Sequence, residues 1–405
     1  MEVVYERCCG VDVHKRTITA CLKVGKEREL RAYGTQTGDL REMAKWLLDA
    51  GCEMVAMEST GAYWKPVYNI LEVLGLEAMV VNAQHMRAVP GRKTDMKDAE
   101  WIADLLQHGL LKASYIPNKE QRELREISRY RKSLVEERSR EINRLEKTLE
   151  GANFKLSSVV SELTGRSSRS LINAFVTQGI TDGNIDSMLF GSLQGKREEL
   201  LKACDGVISK VQKRLVLAII NHIDDMTRRI QEMDELIEEE MQRYEEARKR
   251  IDDIPGIGIN SAQTILAEIG MTMEQFPSAA HLASWSGLSP GNNESAGKRK
   301  SARTCPGNKT LKTTMVQCAK SASRTKGSFF KAQYDRLVVR RGANRATVAV
   351  AHSMLIAIYH MLKNNTPFHD RGEDFYNHFN KERKIAGYLK KLDALGWSPS
   401  HQVMT

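Results

Sequence analysis

The sequence predicts an α/β domain, then a long helical middle, then a mostly α-helical C-terminal domain. Three observations predict this. In the first 110 residues, short apolar runs interleave with helical spacings. No proline occurs from Asn118 to Ile254, although the other 268 residues hold all nine. Beyond Ile254, apolar residues recur at helical spacing within strongly basic sequence.

Taken in order, Cys8–Val13 is a short apolar run and Thr17–Val24 alternates as a strand does. Arg28–Thr35 follows the polar break at Gly25–Glu27 as a third strand. Leu40, Met43, Leu47 and Leu48 give Asp39–Ala50 helical spacing. Met54–Met57 reads as a buried strand, Trp64–Leu74 as a helix, Leu76–Val81 as a strand and Met96–Leu111 as a helix. The order βββαβαβα implies a mixed sheet. In the middle, Gln121–Leu149 carries apolar residues among dense charge. Val216–Ile237 places them at 216, 219, 223, 226, 230, 233 and 237, the 3-4 spacing of a coiled-coil seam. That seam either packs within the chain or pairs with a second copy, and its charged flanks favour the second copy. The stretch at about 151–190 is rich in Ser, Gly and Asn and reads as a looser insertion. The third part carries helices Ser261–Ile269, Ala279–Ser284, Leu311–Ser323, Phe329–Val339 and Arg345–Leu362, with a polar tail after Asn364. The expected domains are 1–115, 116–250, 251–365 and a tail at 366–405.

The chain has 405 residues and a net charge of +10. Residues 1–110 carry −2, residues 111–250 carry +2 and residues 251–405 carry +10. Between 298 and 345 there are 14 basic residues and one acid, Asp335. So one-sided a field attracts polyanions, which points to nucleic acid rather than a solubility tail. The N-terminus, MEVVYERCCG, lacks the basic and apolar regions of a signal peptide. The longest uncharged apolar stretch, Val348–Met361, is too short to span a bilayer. Seven cysteines without a CxxC pair argue against a zinc ribbon or a disulfide framework and for a reducing cytoplasm.

Four carboxylates fall where elements end. Asp12 lies near the end of the first strand, and Glu58 ends a later strand in AMESTG. Asp95 and Asp98 stand in KTDMKDAEWIADLL at a helix start, three apart and so on one face. Such oxygens suit a hard divalent cation that keeps room for phosphate oxygens. Each also has an ordinary reading: Asp98 as a first-turn acid, Asp95 as an N-cap, Glu58 as a turn acid. An unpaired buried Asp12 has no such excuse.

The element order resembles the RNase H/RuvC-like nuclease fold, whose first strand carries an Asp. GVDVHK, AMESTGAYW and KTDMKDAEWIADLL resemble the DEDD motif of the DEDD-type transposases of bacterial insertion sequences, the bridge-RNA-guided recombinases. The resemblance implies that Asp12 is the first acid, Glu58 the second, and Asp95 and Asp98 the closing pair, with Mg²⁺ as cofactor.

In the C-terminal part, Ile254-Pro255-Gly256-Ile257-Gly258 resembles a helix-hairpin-helix turn, in which glycines let the backbone approach a phosphate. A plain Pro-Gly turn is the alternative. Further on, TrpSerGlyLeuSerProGly leads into AsnAsnGluSerAlaGlyLysArgLys, a polar, basic loop. No Gly-x-Ser-x-Gly elbow is present, so from its residues alone Ser295 is a phosphate-binding loop serine. The stretch from IPGIG through ESAGKRKS to the helix near Arg345 resembles the second domain of the same family, which uses a serine nucleophile. By position Ser295 matches best, Ser301 is the fallback, and Ser286 and Ser289 stay open. Lys298, Arg299, Lys300 and Arg303 would hold backbone phosphates.

The resemblance covers about 8–110 and 251–365. It implies a bacterial, nucleoid-associated recombinase that cuts and rejoins DNA through a phosphoserine link. It also implies a non-coding guide RNA and a homo-oligomer, dimer or tetramer, in which parts of two subunits complete one active site. No membrane is expected. The rivals are a RuvC-like nuclease with water as nucleophile, an actin-like kinase and a non-catalytic DNA-bridging protein. The kinase needs a second DxG phosphate loop, which the sequence lacks.

Overall fold

Three strands open the chain: β1 (Arg7–Val13), β2 (Ile18–Val24) and β3 (Glu27–Tyr33), paired as an antiparallel meander. The helix α1 (Thr37–Asp49) leads to β4 (Met54–Glu58), and α2 (Trp64–Val73) leads to β5 (Ala78–Val81). β4 lies parallel to β1, and β5 parallel to β4, so the mixed sheet has the order β3-β2-β1-β4-β5. In this computed structural model residues 2–59, 61–82, 98–291, 293–295, 298–301, 303–378 and 381–397 are described. The chain divides into two units, Met1–Pro117 and Asn118–Thr405.

The strands alternate between two cores. Cys9, Val11 and Val13 of β1, with Val55, Met57 and Val80, face α1 and α2 through Leu40, Met43, Leu47, Val67 and Leu71. The other face packs on α3 (Asp98–Gln107), where Cys8, Ala56 and Val81 meet Ile102 and Leu106. Covering both faces explains why CCGV and VAM read as continuous apolar runs rather than alternating ones. Pro66 is tolerated because it sits in the first turn of α2, where its missing N–H has no intrahelical partner to lose.

In the second unit, α4 (Lys119–Gly151) starts at Asn118, whose side chain accepts from the Gln121 amide at 3.0 Å. Its antiparallel partner is α7 (Lys210–Met241), which starts with a capping box of Ser209 and Gln212. The ion pairs Arg243–Glu120 at 2.5 Å and Arg131–Asp234 at 2.6 Å, with His222 Nδ1 3.8 Å from Glu141, mark the antiparallel direction. Val216, Ile219, Ile223, Met226, Ile230 and Ile237 are buried, so α4 of the same chain occupies the seam expected to favour a second copy. The charged flanks pair along the hairpin instead of across a dimer.

The polar stretch read as a loose insertion is folded. It forms α5 (Arg166–Thr177) and short 3₁₀ turns, and α6 (Arg197–Ala203) follows just beyond it. Phe154 and Phe175 stack at 4.1 Å, and Leu171, Ile172, Ile185 and Leu200 join Leu145, Leu149 and Val216 in one core. Phe154, Leu156, Val160, Leu163, Met188 and Leu189 join the same core, although the Ser, Gly and Asn between them dilute the apolar signal.

The remaining helices are α8 (Glu245–Asp252), α9 (Ile259–Ile269), α10 (Ala279–Trp285), α11 (Lys309–Ala322), α12 (Phe329–Arg341) and α13 (Ala343–Asn364). By length and composition α13 is long enough to cross a membrane, which the narrower apolar stretch had not suggested. Half of its apolar window is buried, and Val350, Met354, Leu355 and Ile358 make it a core helix packed on α10, α11 and α12. Between α10 and α11 the expected loop is a β-hairpin of β6 (Asn293–Ser295) and β7 (Lys298–Ser301). After Asn364 the chain forms α14 (Phe375–His378) and α15 (Lys381–Ala394). Part of that tail is pinned: Phe368 stacks on Phe330 at 5.8 Å, and Tyr376 on Phe329 at 5.4 Å.

Candidate active site

Asp12 is the sixth residue of β1, and strand alternation puts it on the α3 face with Cys8 and Gly10. Glu58 ends β4 on the same face, after Met54 and Ala56. The register pairs Val11 with Met57, so continuing it by one residue sets Asp12 level with Glu58 on neighbouring parallel strands. Asp98 opens α3. That helix runs antiparallel to β1: Val4 donates to the Gln107 carbonyl at 2.8 Å, and the Cys8 thiol to the Ala103 carbonyl at 3.7 Å. Its N-terminal residue is therefore carried towards the carboxyl end of β1. Gly10 makes this possible, since a Cβ there would stand 2.3 Å from both Ala103 N and Ala99 O. Three of the four predicted carboxylates thus share one end of the sheet, the place where open α/β sheets form clefts. Asp95 lies outside the described residues.

The Asp12 side chain is 21% exposed and meets His14 Nε2 at 3.1 Å. Glu58 and Asp98 also have partners. Among the described residues, no three His, Cys, Asp or Glu side chains stand close enough to hold a metal. The donor chemistry fits a hard cation nonetheless, being carboxylate oxygen throughout. Thiolate does not compete, because burial pushes the Cys8 thiol up to about 12.

The second set of residues lies in the other unit. Ser295 is the last residue of β6 and pairs with Lys298 across two intervening residues. A bulge opposite Asn293 and Glu294 leaves Lys300 as the extra residue, a device that re-aims side chains. The side chains of Ser295, Lys298, Arg299, Lys300 and Ser301 lie outside the described part. Arg303 is exposed and its carbonyl accepts from Gly291 N at 2.8 Å, closing the root of the hairpin. Ser286 is fully buried and donates to the Ala283 carbonyl at 2.9 Å, so it serves the end of α10 rather than chemistry. Ser289 is half-buried, with its amide bound to Ala283 O and its carbonyl to Cys305 N.

A residue that the motifs did not single out holds this frame. Glu268 of α9 is 1% exposed. It accepts from Nε and Nη2 of Arg129, at 2.7 and 2.8 Å, and from Asn308 Nδ2 at 2.6 Å. Arg125 stands 3.4 Å away. Asn308 also caps α11 through the Leu311 amide and donates its own amide to Trp285 O. One buried carboxylate therefore ties the long helix α4 to the segment that leaves the hairpin. Its signal in the sequence is an acid inside the apolar run ILAEIG.

The predicted backbone-binding turn joins α8 to α9. Gly256 has φ +86, and a Cβ there would stand 2.3 Å from Ala322 N and 2.7 Å from Cys318 O. Packing against α11 accounts for this glycine. Gly258 is the exposed N-cap of α9, and nothing lies within 4 Å of its would-be Cβ. Pro255 is half-buried between the two helices.

Comparison with known proteins bears on both units. Residues 9–154 match the DEDD IS110 family model, described as a transposase. Residues 248–335 match a second model, described as Transposase IS116/IS110/IS902 family. The transposase for insertion sequence element IS1111A of Coxiella burnetii is 24% identical over 327 residues, 78% of either chain. The insertion element IS110 uncharacterized 43.6 kDa protein of Streptomyces coelicolor is 31% identical over 121 residues, 29% of either chain. The first match holds Asp12, Glu58, Asp95 and Asp98, and the second holds the glycine turn and the Ser295 hairpin. With both diagnostic segments matched in order, the chain belongs to the IS110 family of DEDD transposases, enzymes that cleave and transfer DNA.

Proposed function

We propose that the chain moves an insertion sequence by site-specific recombination, with Ser295 as the nucleophile. The Ser295 hydroxyl oxygen attacks a backbone phosphorus, an O–P bond to serine forms, and the bond from that phosphorus to a deoxyribose oxygen breaks. The hydroxyl proton passes to a base, and the departing oxygen takes up a proton to become a free hydroxyl. The phosphoserine link keeps the energy of the broken bond for rejoining to another strand. Asp12, Glu58, Asp95 and Asp98 would hold Mg²⁺, which supplies positive charge to a phosphate and its developing oxyanion. Lys298, Arg299, Lys300 and Arg303 orient the strand through its phosphates. The amides at Gly258 and the α9 N-terminus, in a turn read as a helix-hairpin-helix, bind backbone phosphate beside it. A non-coding guide RNA selects the sites. The working form is a dimer or tetramer acting on DNA in the bacterial cytoplasm, near the nucleoid.

The observation that supports this most is the position of Ser295, directly across from Lys298 in a basic hairpin whose root is fixed by a buried carboxylate frame. The excess charge of +10 over residues 251–405 lies in the same part of the chain. Strand-transfer assays on a donor plasmid carrying the element test the reading. Ser295→Ala and Asp12→Asn are each expected to lower recombination by at least about 10³-fold, and chelation of divalent metal to do the same. Full recombination by both Asp12→Asn and Asp98→Asn would overturn the metal-holding role of these acids.

A further inference from the structure

Beside the root of the Ser295 hairpin lies a groove of ≈ 1120 Å³ between that root and helices α12 and α13. Leu288, Leu337 and Val348 give it apolar walls, and Arg303, Arg341 and Arg345 give it a charged rim. No acidic side chain lines it among the described residues, and neither Arg341 nor Arg345 has an ion-pair partner among them. A site for phosphate alone has no use for apolar walls, and a site for an apolar segment has no use for three arginines. A nucleotide needs both, with base faces against the walls and phosphates at the rim.

Two further side chains fit a base rather than a sugar–phosphate backbone. Gln333 donates its amide to Ser353 Oγ at 2.8 Å, while its Oε1 is buried without a hydrogen-bond partner among the described residues. An acceptor of that kind suits an exocyclic amino group. His352 also lines the groove, and burial lowers its pKa. A neutral imidazole can both donate to and accept from a base edge without repelling the cationic rim.

We propose that this groove receives one nucleotide of the DNA strand held by the hairpin, lifted out of its stack, with an amino-bearing base preferred over thymine. The proposal rests on the reading that the hairpin holds the strand to be cut. Continuity argues for that strand, because Pro290, Arg303 and Thr304 belong at once to the hairpin root and to the groove wall. Lifting a base from a single strand costs little beside extracting it from a duplex.

The test uses the full chain and a 12-mer of deoxythymidine with one central 2-aminopurine, alongside the same oligomer in RNA. Binding is expected to raise the 2-aminopurine emission severalfold, as unstacking does. Arg345→Ala is expected to weaken binding about tenfold, the scale of one lost arginine contact. Ala349→Met, which fills the groove, is expected to abolish the emission change. Arg340→Ala removes the same charge from an exposed position outside the groove and is expected to weaken binding no more than about twofold. Equal losses for Arg340→Ala and Arg345→Ala, an unchanged emission at saturation, or a response to the RNA oligomer alone would each overturn the proposal. Covalent adduct formation is read separately, and Ser295→Ala is expected to retain the emission change. Absent adducts beside an intact emission change would therefore sink the nucleophile and leave the groove standing.

Discussion

Two glycines in one turn illustrate how differently the same residue type can be used. Gly256 combines φ +86 with a backbone neighbour 2.3 Å from any added Cβ, whereas Gly258 stands in open space at the head of α9. Gly256→Ala is expected to destabilise the protein by about 1–3 kcal/mol, because the strained backbone and α11 must both yield. Gly258→Ala is expected to cost about 1 kcal/mol or less, the scale of an N-cap change, while weakening DNA binding. Chemical denaturation and DNA-binding titrations on the two variants separate these effects; equal stability losses would contradict the distinction. The sequence signalled both glycines but not their division of labour. The partners of Gly256, Ala322 and Cys318, lie more than 60 residues away and leave no trace near the motif. Gly10 behaves likewise: inside CCGVDV it looks like an ordinary strand residue, yet α3 crosses directly over it. Strand ends mark Asp12 and Glu58 in the sequence, whereas the placement of Asp98 at the same end of the sheet depends on that crossing, which spacing does not encode.

Among the elements, those with a strong period matched expectation best. The strands β1–β5, α1, α2, α9 and α11–α13 fall within a few residues of their predicted bounds. The seam at 216–237 was visible, but its partner was not, because a heptad pattern specifies a mate without naming its chain. The antiparallel pairing within the chain becomes clear only through cross-helix contacts such as Arg131–Asp234 and Arg138–Thr227. The Ser295 strands were missed because SAGKRKS carries no alternation; backbone pairing forms them, not apolar faces. Glu268 then fixes the segment that follows. Removing one partner from a buried ion pair strands the other, so Glu268→Ala is expected to cost about 3–5 kcal/mol. In Arg129→Ala the buried Glu268 still keeps Arg125 at 3.4 Å and Asn308 Nδ2 at 2.6 Å, so that change is expected to cost less. Urea denaturation curves on both variants check the order, and a larger loss for Arg129→Ala would contradict it.

For the whole molecule, charge and chemistry divide in the same way. The mixed-sheet unit carries the acids and a slightly negative charge over residues 1–110, while the net excess of +10 falls after residue 250. Carboxylates suit cations and a basic hairpin suits phosphate, so the proposed metal and strand sites fall in parts of the chain with opposite net charge. The two matched segments, 9–154 and 248–335, leave 155–247 between them, which holds α5, α6 and α7. That stretch completes the hairpin core with the first matched segment through Leu145, Leu149 and Val216.

The central claim is that a serine of the basic hairpin joins covalently to DNA. The most direct measurement traps the protein on nicked element-end DNA with Mg²⁺, digests the complex and maps the nucleotide-bearing peptide by mass spectrometry. The account expects the adduct on Ser295 and its absence from Ser295→Ala. An adduct on Ser301, an adduct that persists in Ser295→Ala, or cleavage with no adduct at all would contradict it.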